Sequence, residues 1–243
     1  MPDTALIYTL RDGGLELLDY CDMTERRIVV ADSWLESEGR TLAFDLHRER
    51  FERTAGPQPE LWAALPHHAS GEWFPRVELH DNGQLLYRER SAPALSASVT
   101  VATAASDPRT RPTVKGPDLE AMLRLRTEAQ PAGEAVILQD GFVVEGAYSS
   151  LVWWRGSILC YPTDEFERVD SVTARVVLTL AAALGVETFQ EAVTPAELDG
   201  TELWSLSALH GPRIVTAWTD GPELAELPGR LSTWRRRLTA LRR

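Results

Sequence analysis

Turn signals set between short apolar segments constrain this chain's fold more than any other feature. Arg11-Asp12-Gly13-Gly14, Asp81-Asn82-Gly83, Asp140-Gly141 and Arg155-Gly156 each separate two segments of strand length. Gly, Asn and Asp reach the left-handed backbone region that tight hairpins need, so each signal predicts an antiparallel pair. The paired strands are expected at residues 5–10 and 15–20, 73–80 and 84–90, 135–139 and 142–144, and 151–154 and 158–161. Single strands are expected at 27–31, 42–44, 96–103, 186–190, 202–206 and 214–218. Helical signals interrupt them. Asp45 reads as the N-cap of a helix through Arg53, ended by Gly56-Pro57, and a short helix follows at 59–65. Leu119, Met122, Leu123 and Leu125 form an apolar stripe within 117–128. Residues 172–184 read as a strongly apolar helix closed by Gly185, and 222–243 as a helical region broken at Pro228-Gly229. The mixture predicts an α/β (α+β) chain.

Residues 104–112 contain Ser106-Asp107-Pro108 and Arg111-Pro112 without periodicity, the signature of an exposed connector. Two domains are therefore expected, 1–105 and 115–243, joined by 106–114. A chain of 243 residues has room for two modest cores. With 25 Lys and Arg against 36 Asp and Glu, the formal charge is −11, which disfavours general nucleic-acid binding. Cys21 and Cys160 make no disulfide framework, which suits a reducing cytoplasm. No apolar run approaches the ~20 residues that cross a bilayer. The start lacks the order of a signal peptide. A cytoplasmic protein is expected, with a small-molecule substrate and neither nucleic acid nor membrane as partner.

The basic residues are unevenly chosen. Lys115 is the one lysine, beside 24 arginines. Lysine, unlike arginine, can give up its proton and attack a carbonyl. Lys115 follows the connector and precedes a helix, a place for a Schiff-base lysine in an interdomain cleft or for a solvated connector residue. Its own context leaves both open.

The order of features behind Lys115 narrows the choice. Glu145 follows 30 positions later in Val143-Val144-Glu145-Gly146-Ala147-Tyr148-Ser149-Ser150-Leu151. Then come Tyr161-Pro162-Thr163, Ser171-Val172-Thr173 at the start of the apolar helix, and Ser205-Leu206-Ser207-Ala208-Leu209. Over residues 115–218 this run resembles the class IV aminotransferases, pyridoxal-phosphate (PLP) enzymes of fold type IV. The resemblance implies a two-domain fold like that of D-amino-acid aminotransferase and a homodimer. It assigns Lys115 to the Schiff base with the cofactor and Glu145 to the pyridine nitrogen. Ser171, Val172 and Thr173 form the phosphate-binding turn, with Ser171 where the family has Gly, and Ser207 gives a second phosphate contact. In the first half, His47-Arg48-Glu49-Arg50-Phe51 resembles the family's His-x-x-Arg-Leu signature, whose arginine, Arg50 here, reaches the phosphate. The family's Gly-Asp-Gly-x-Phe-Glu-Thr stretch is expected to be missing, with 27–33 in its place and Ser33 where its Thr would fall.

Ala208-Leu209 after Ser207, the short length and the abbreviated N-terminal domain resemble the lyase-like members, and Asp118-Leu119 behind Lys115 stands where branched-chain transaminases usually have an Asn-Tyr pair. These features imply conversion of 4-amino-4-deoxychorismate to 4-aminobenzoate and pyruvate, a step of folate biosynthesis. Amino-acid transamination of the branched-chain or D-amino-acid type is the alternative, and a member that has lost catalysis is a third. The His67-His68 pair reads as surface loop, since no metal-ligand spacing accompanies it.

Overall fold

The computed structural model describes residues 5–19 and 24–243. Tyr20, the last residue of one expected strand, and Cys21 lie outside them. The chain divides into two units, Met1–Leu95 with Val114–Pro117 and Leu241–Arg243, and Ser96–Thr113 with Asp118–Ala240.

The first unit opens with the hairpin β1 (Leu6–Arg11) and β2 (Gly14–Leu17), followed by β3 (Ile28–Ser33). The short strands β4 (Glu36–Ser37) and β5 (Arg40–Thr41) come next, then helices α1 (Phe44–Ala55) and α2 (Pro59–Ala64). Strands β6 (Glu72–Trp73), β7 (Arg76–His80) and β8 (Leu85–Glu89) complete it. An antiparallel sheet runs β2-β1-β8-β7-β3, and a small one runs β5-β4-β6. Val30, Trp34, Phe51, Leu61, Val77 and Tyr87 form the core where α1 and α2 cover the larger sheet. The aromatic rings of Trp34, Phe44, Phe51 and Trp62 meet at 5.0–6.4 Å, mostly edge to face.

Two expectations change here. Residues 42–44 form no strand, and Asp45 does not cap α1. The backbone turns left-handed at Ala43 (φ 51°), so the helix starts two residues earlier than a cap at Asp45 implies, at Phe44. Asp45 falls in the first turn, where its charge complements the helix dipole.

The returning segment 114–117 lies along β3, with the Ala31 amide donating to the Lys115 carbonyl at 2.8 Å. Gly116 makes this approach possible. Its φ is 131°, and a Cβ there would stand 2.5 Å from the Ala31 nitrogen.

The second unit begins with β9 (Ser98–Thr103) and α3 (Leu119–Glu128). Two hairpins follow, β10 (Glu134–Gln139) with β11 (Phe142–Gly146), and β12 (Ser150–Arg155) with β13 (Ile158–Pro162). Helix α4 (Val172–Ala183), β14 (Thr188–Glu191), β15 (Glu202–Ser207), β16 (Gly211–Thr219) and α5 (Arg230–Ala240) complete it. One sheet runs β11-β10-β9-β16-β15-β12-β13-β14. Asp140 and Gly141, at φ 53° and 85°, turn the first hairpin as the sequence predicts. Val101, Val136, Leu151, Trp153, Leu203 and Val215 are buried in its core. Trp154, Trp204 and Trp234 pack edge to face at 5.4–5.8 Å and anchor α5.

The expected domain boundary moves. β9 pairs in parallel with both β10 and β16, so it belongs to the second unit, while Lys115 belongs to the first. The expected helical region 222–243 contracts to α5, because nothing before Arg230 adopts helix.

Candidate active site

In the first unit, α1 places His47 and Arg50 three residues apart, hence on one face. Both meet Asp32 on β3, which is fully buried. Arg50 Nε donates to Asp32 Oδ2 at 2.7 Å and Nη2 to Oδ1 at 2.8 Å. His47 Nδ1 stands 2.8 Å from Oδ1, and the Ser33 amide donates to the same oxygen at 2.8 Å. Burial alone would push the Asp32 carboxyl up. The charges and hydrogen bonds of Arg50 and His47 outweigh it and hold the carboxyl well below the usual carboxylate range. His47 is pushed down, first by burial and then by the positive charges of Arg50 and Lys115, against the pull of Asp32. A neutral imidazole facing an ionised carboxylate carries its proton on Nδ1. Lys115 therefore stands within electrostatic reach of this buried cluster.

In the second unit, Glu145 lies near the end of β11, opposite Ile137 of β10. It is buried. Arg109 Nη1 donates to its Oε1 at 2.5 Å, and the Val169 amide to Oε2 at 3.3 Å. Arg109 is itself held by Asp107, at 2.7 and 2.8 Å, and by the Glu167 carbonyl at 3.0 Å. Burial pushes Glu145 up to about 7, against the opposing pull of Arg109. The Val169 bond ties Glu145 to the segment leading into α4.

That helix starts at Val172, and the Ser171 hydroxyl accepts from the Ala174 amide at 3.2 Å as its N-cap. The Ser171 side chain thus serves the helix. The amides of Val172 and Thr173 are among those that an α-helix leaves without intrahelical acceptors. Both residues are buried. Ser207 ends β15, and its hydroxyl accepts from the His210 amide at 3.2 Å. A cavity of about 450 Å³ opens beside the α4 start, lined among others by Val144, Ser150, Val169 and Ser171. The Ser150 hydroxyl on its wall is buried without a hydrogen-bond partner.

Each unit thus gathers its own subset of the expected residues: Arg50 and Lys115 in the first, Glu145, Ser171, Val172, Thr173 and Ser207 in the second. Taken unit by unit, the residue types fit parts of PLP: an amine and a guanidinium in the first, and in the second a buried carboxylate of the kind that pairs with a ring nitrogen, with two helix-start amides and a hydroxyl of the kind that bind a phosphate.

The sequence profile described as "Amino-transferase class IV" matches residues 78–218, more than half of the chain. The chain belongs to the class IV aminotransferases. Its fold is similar to that of a hypothetical aminotransferase from Mycobacterium tuberculosis in its apo form, at 19% identity over 98% of both chains and a TM-score of 0.79. The PLP-bound form of that protein aligns at 20% identity over 98% of both chains, with a TM-score of 0.76. A branched-chain aminotransferase from the archaeon Thermoproteus uzoniensis, with norvaline, aligns at 17% identity over 98% of this chain and 96% of its own, with a TM-score of 0.79. No curated protein sequence matches the chain. The mixed α/β, two-domain fold of type IV enzymes is therefore the fold of this chain.

Sequence reasoning missed three residues that contact the expected ones: Asp32, His47 and Arg109. Arg109 lay in a segment read as exposed, yet its side chain is 4% exposed against Glu145. His47 opens the His-x-x-Arg signature, and its contact with Asp32 beside Arg50 has no signal in the sequence. Asp32 hid in a stretch read as the replacement of a missing motif. Asp32 and Glu36 keep the Asp-to-Glu spacing of that Gly-Asp-Gly-x-Phe-Glu-Thr stretch, with Ser37, not Ser33, in the position of its Thr. His68 is corrected too. It is a pinned residue, with Nδ1 3.1 Å from Glu36, Nε2 2.7 Å from Glu89 and its ring stacked on Trp73 at 4.2 Å. Among the described residues no helix is long and apolar enough to cross a membrane.

Proposed function

We propose that this class IV aminotransferase binds PLP on Lys115 and transfers amino groups between a small amino acid and a keto acid. The supporting observation is the sole lysine, fixed by its backbone to β3 and electrically coupled to the Asp32–His47–Arg50 cluster. When bound, PLP supplies an electron sink for charge that develops at the substrate carbon. The chain's residues do the rest. Lys115 Nζ would hold the cofactor as a nucleophile and, when free, would carry a proton to and from the substrate carbon. Glu145, a buried carboxylate oriented by Arg109, would hold a proton at the ring nitrogen. Arg50, the amides of Val172 and Thr173, and the Ser207 hydroxyl bind the phosphate, while Ser171 stabilises the helix that presents those amides.

A lyase is the second reading, favoured by Ala208-Leu209 after Ser207. Its substrate would be 4-amino-4-deoxychorismate, and Lys115 would move protons during loss of pyruvate. The same proposal includes a cytoplasmic homodimer, for which sedimentation at the dimer mass is the check. Purified protein given PLP should turn yellow. Amino-group exchange that requires a keto acid supports transamination, whereas pyruvate and 4-aminobenzoate released without an acceptor replace it with the lyase. A protein that stays colourless and takes up no PLP refutes both.

A further inference from the structure

Asp32 has no part in the reaction above, yet its carboxylate is fully buried, at a desolvation cost. Its Oδ1 faces the Ser33 amide, His47 Nδ1 and Arg50 Nη2, and its Oδ2 faces Arg50 Nε. A carboxylate gripping Nε and Nη2 together fixes the plane of the guanidinium, and with it the directions of all five N–H bonds. The Arg50 side chain is only 10% exposed, so little solvent competes for that geometry. His47 and the Ser33 amide anchor the carboxylate in turn, so the orientation of Arg50 is referred back to β3 and α1 rather than to its own flexible side chain.

We propose that Asp32 is a positioning residue that sets the Arg50 guanidinium for the phosphate of the cofactor. The inference rests on the assignment of Arg50 to that phosphate. It has a sign that separates it from simple electrostatics. As a nearby anion Asp32 repels a phosphate, so on charge alone Asp32→Asn should tighten PLP binding. As an orienting group its loss should weaken binding, because an Asn amide cannot accept both guanidinium bonds.

The test compares PLP with pyridoxal, which lacks the phosphate, on cofactor-stripped full-length protein, by absorbance and tryptophan-fluorescence titration. Asp32→Asn should weaken PLP by about tenfold, the order expected for a lost hydrogen bond to a charged group, and change pyridoxal far less. In an Arg50→Gln background, adding Asp32→Asn should cause no further loss for PLP. A merely structural role would weaken both ligands together. Should Asp32→Asn fail to fold by circular dichroism, Asp32→Glu serves instead, since it keeps the charge but displaces the carboxylate, and the same loss confined to PLP is expected. Unchanged or tighter PLP binding, equal losses for both ligands, or a full effect in the Arg50→Gln background overturns the inference. Wild-type protein that binds neither ligand overturns the proposed function and the inference together. Wild-type uptake with no effect of the Asp32 variants overturns the inference alone.

Discussion

Replacing Glu145 by Gln should change the pH dependence of stability in a direction and amount that follow from its burial. The Glu145 carboxyl moves from an ordinary value of 4.5 to about 7 in the fold, chiefly because it is buried. At about 1.4 kcal/mol per pH unit, that displacement is worth about 3 kcal/mol. Because the folded-state value is raised, the folded protein holds this proton more tightly than the unfolded chain. The contribution to stability is present in full below pH 4.5 and is lost as pH rises through about 7. Glutamine does not titrate, and the other carboxylates are common to both proteins and cancel in the difference. Urea unfolding of cofactor-stripped wild-type and Glu145→Gln protein between pH 4.5 and 8 measures it. The stability of the variant relative to wild type should climb by about 3 kcal/mol across that range. A difference that stays flat with pH would mean that Glu145 titrates as an ordinary glutamate, and the argument from burial would fail.

Two further outcomes follow from the same geometry. Ser171→Ala removes the N-cap of α4 and should lower stability by about 1 kcal/mol, read as a lower midpoint in urea, with PLP binding weakened through the frayed first turn. Gly116→Ala forces a Cβ against the Ala31 nitrogen at a φ of 131°, which should cost about 1–3 kcal/mol and displace the backbone of Lys115. Thermal unfolding and the PLP absorbance titration report the two consequences separately.

The hairpins were legible because their turns are chemically explicit. Asp140-Gly141 and Asp12-Gly13 sit at positive φ, and few other residue pairs do so cheaply. The long helix was legible because its apolar content and Ser171 cap are local. What escaped was set by contacts distant in sequence. β9 looks like the last strand of the first domain, but its partners β10 and β16 both lie further along the chain. Asp32 carries no local signal of its role, which depends on α1 bringing His47 and Arg50 against it. Arg109 meets Glu145 across 36 residues, through a connector whose composition suggests only exposure. At Ala43 a left-handed residue without a glycine shifts the start of α1, and no local pattern announces it. Lys115, Glu145, Thr173 and Ser207 were legible as candidates from their order, whereas the partners that hold them were not.

The most direct test of the account is where the cofactor attaches. The protein should be incubated with PLP, reduced with borohydride, digested, and its peptides mapped by mass spectrometry. With one lysine in 243 residues, side-chain labelling should fall on Lys115 alone, and Lys115→Arg should lose it. Wild-type protein that binds PLP yet shows no modified Lys115 peptide would contradict the account at its centre.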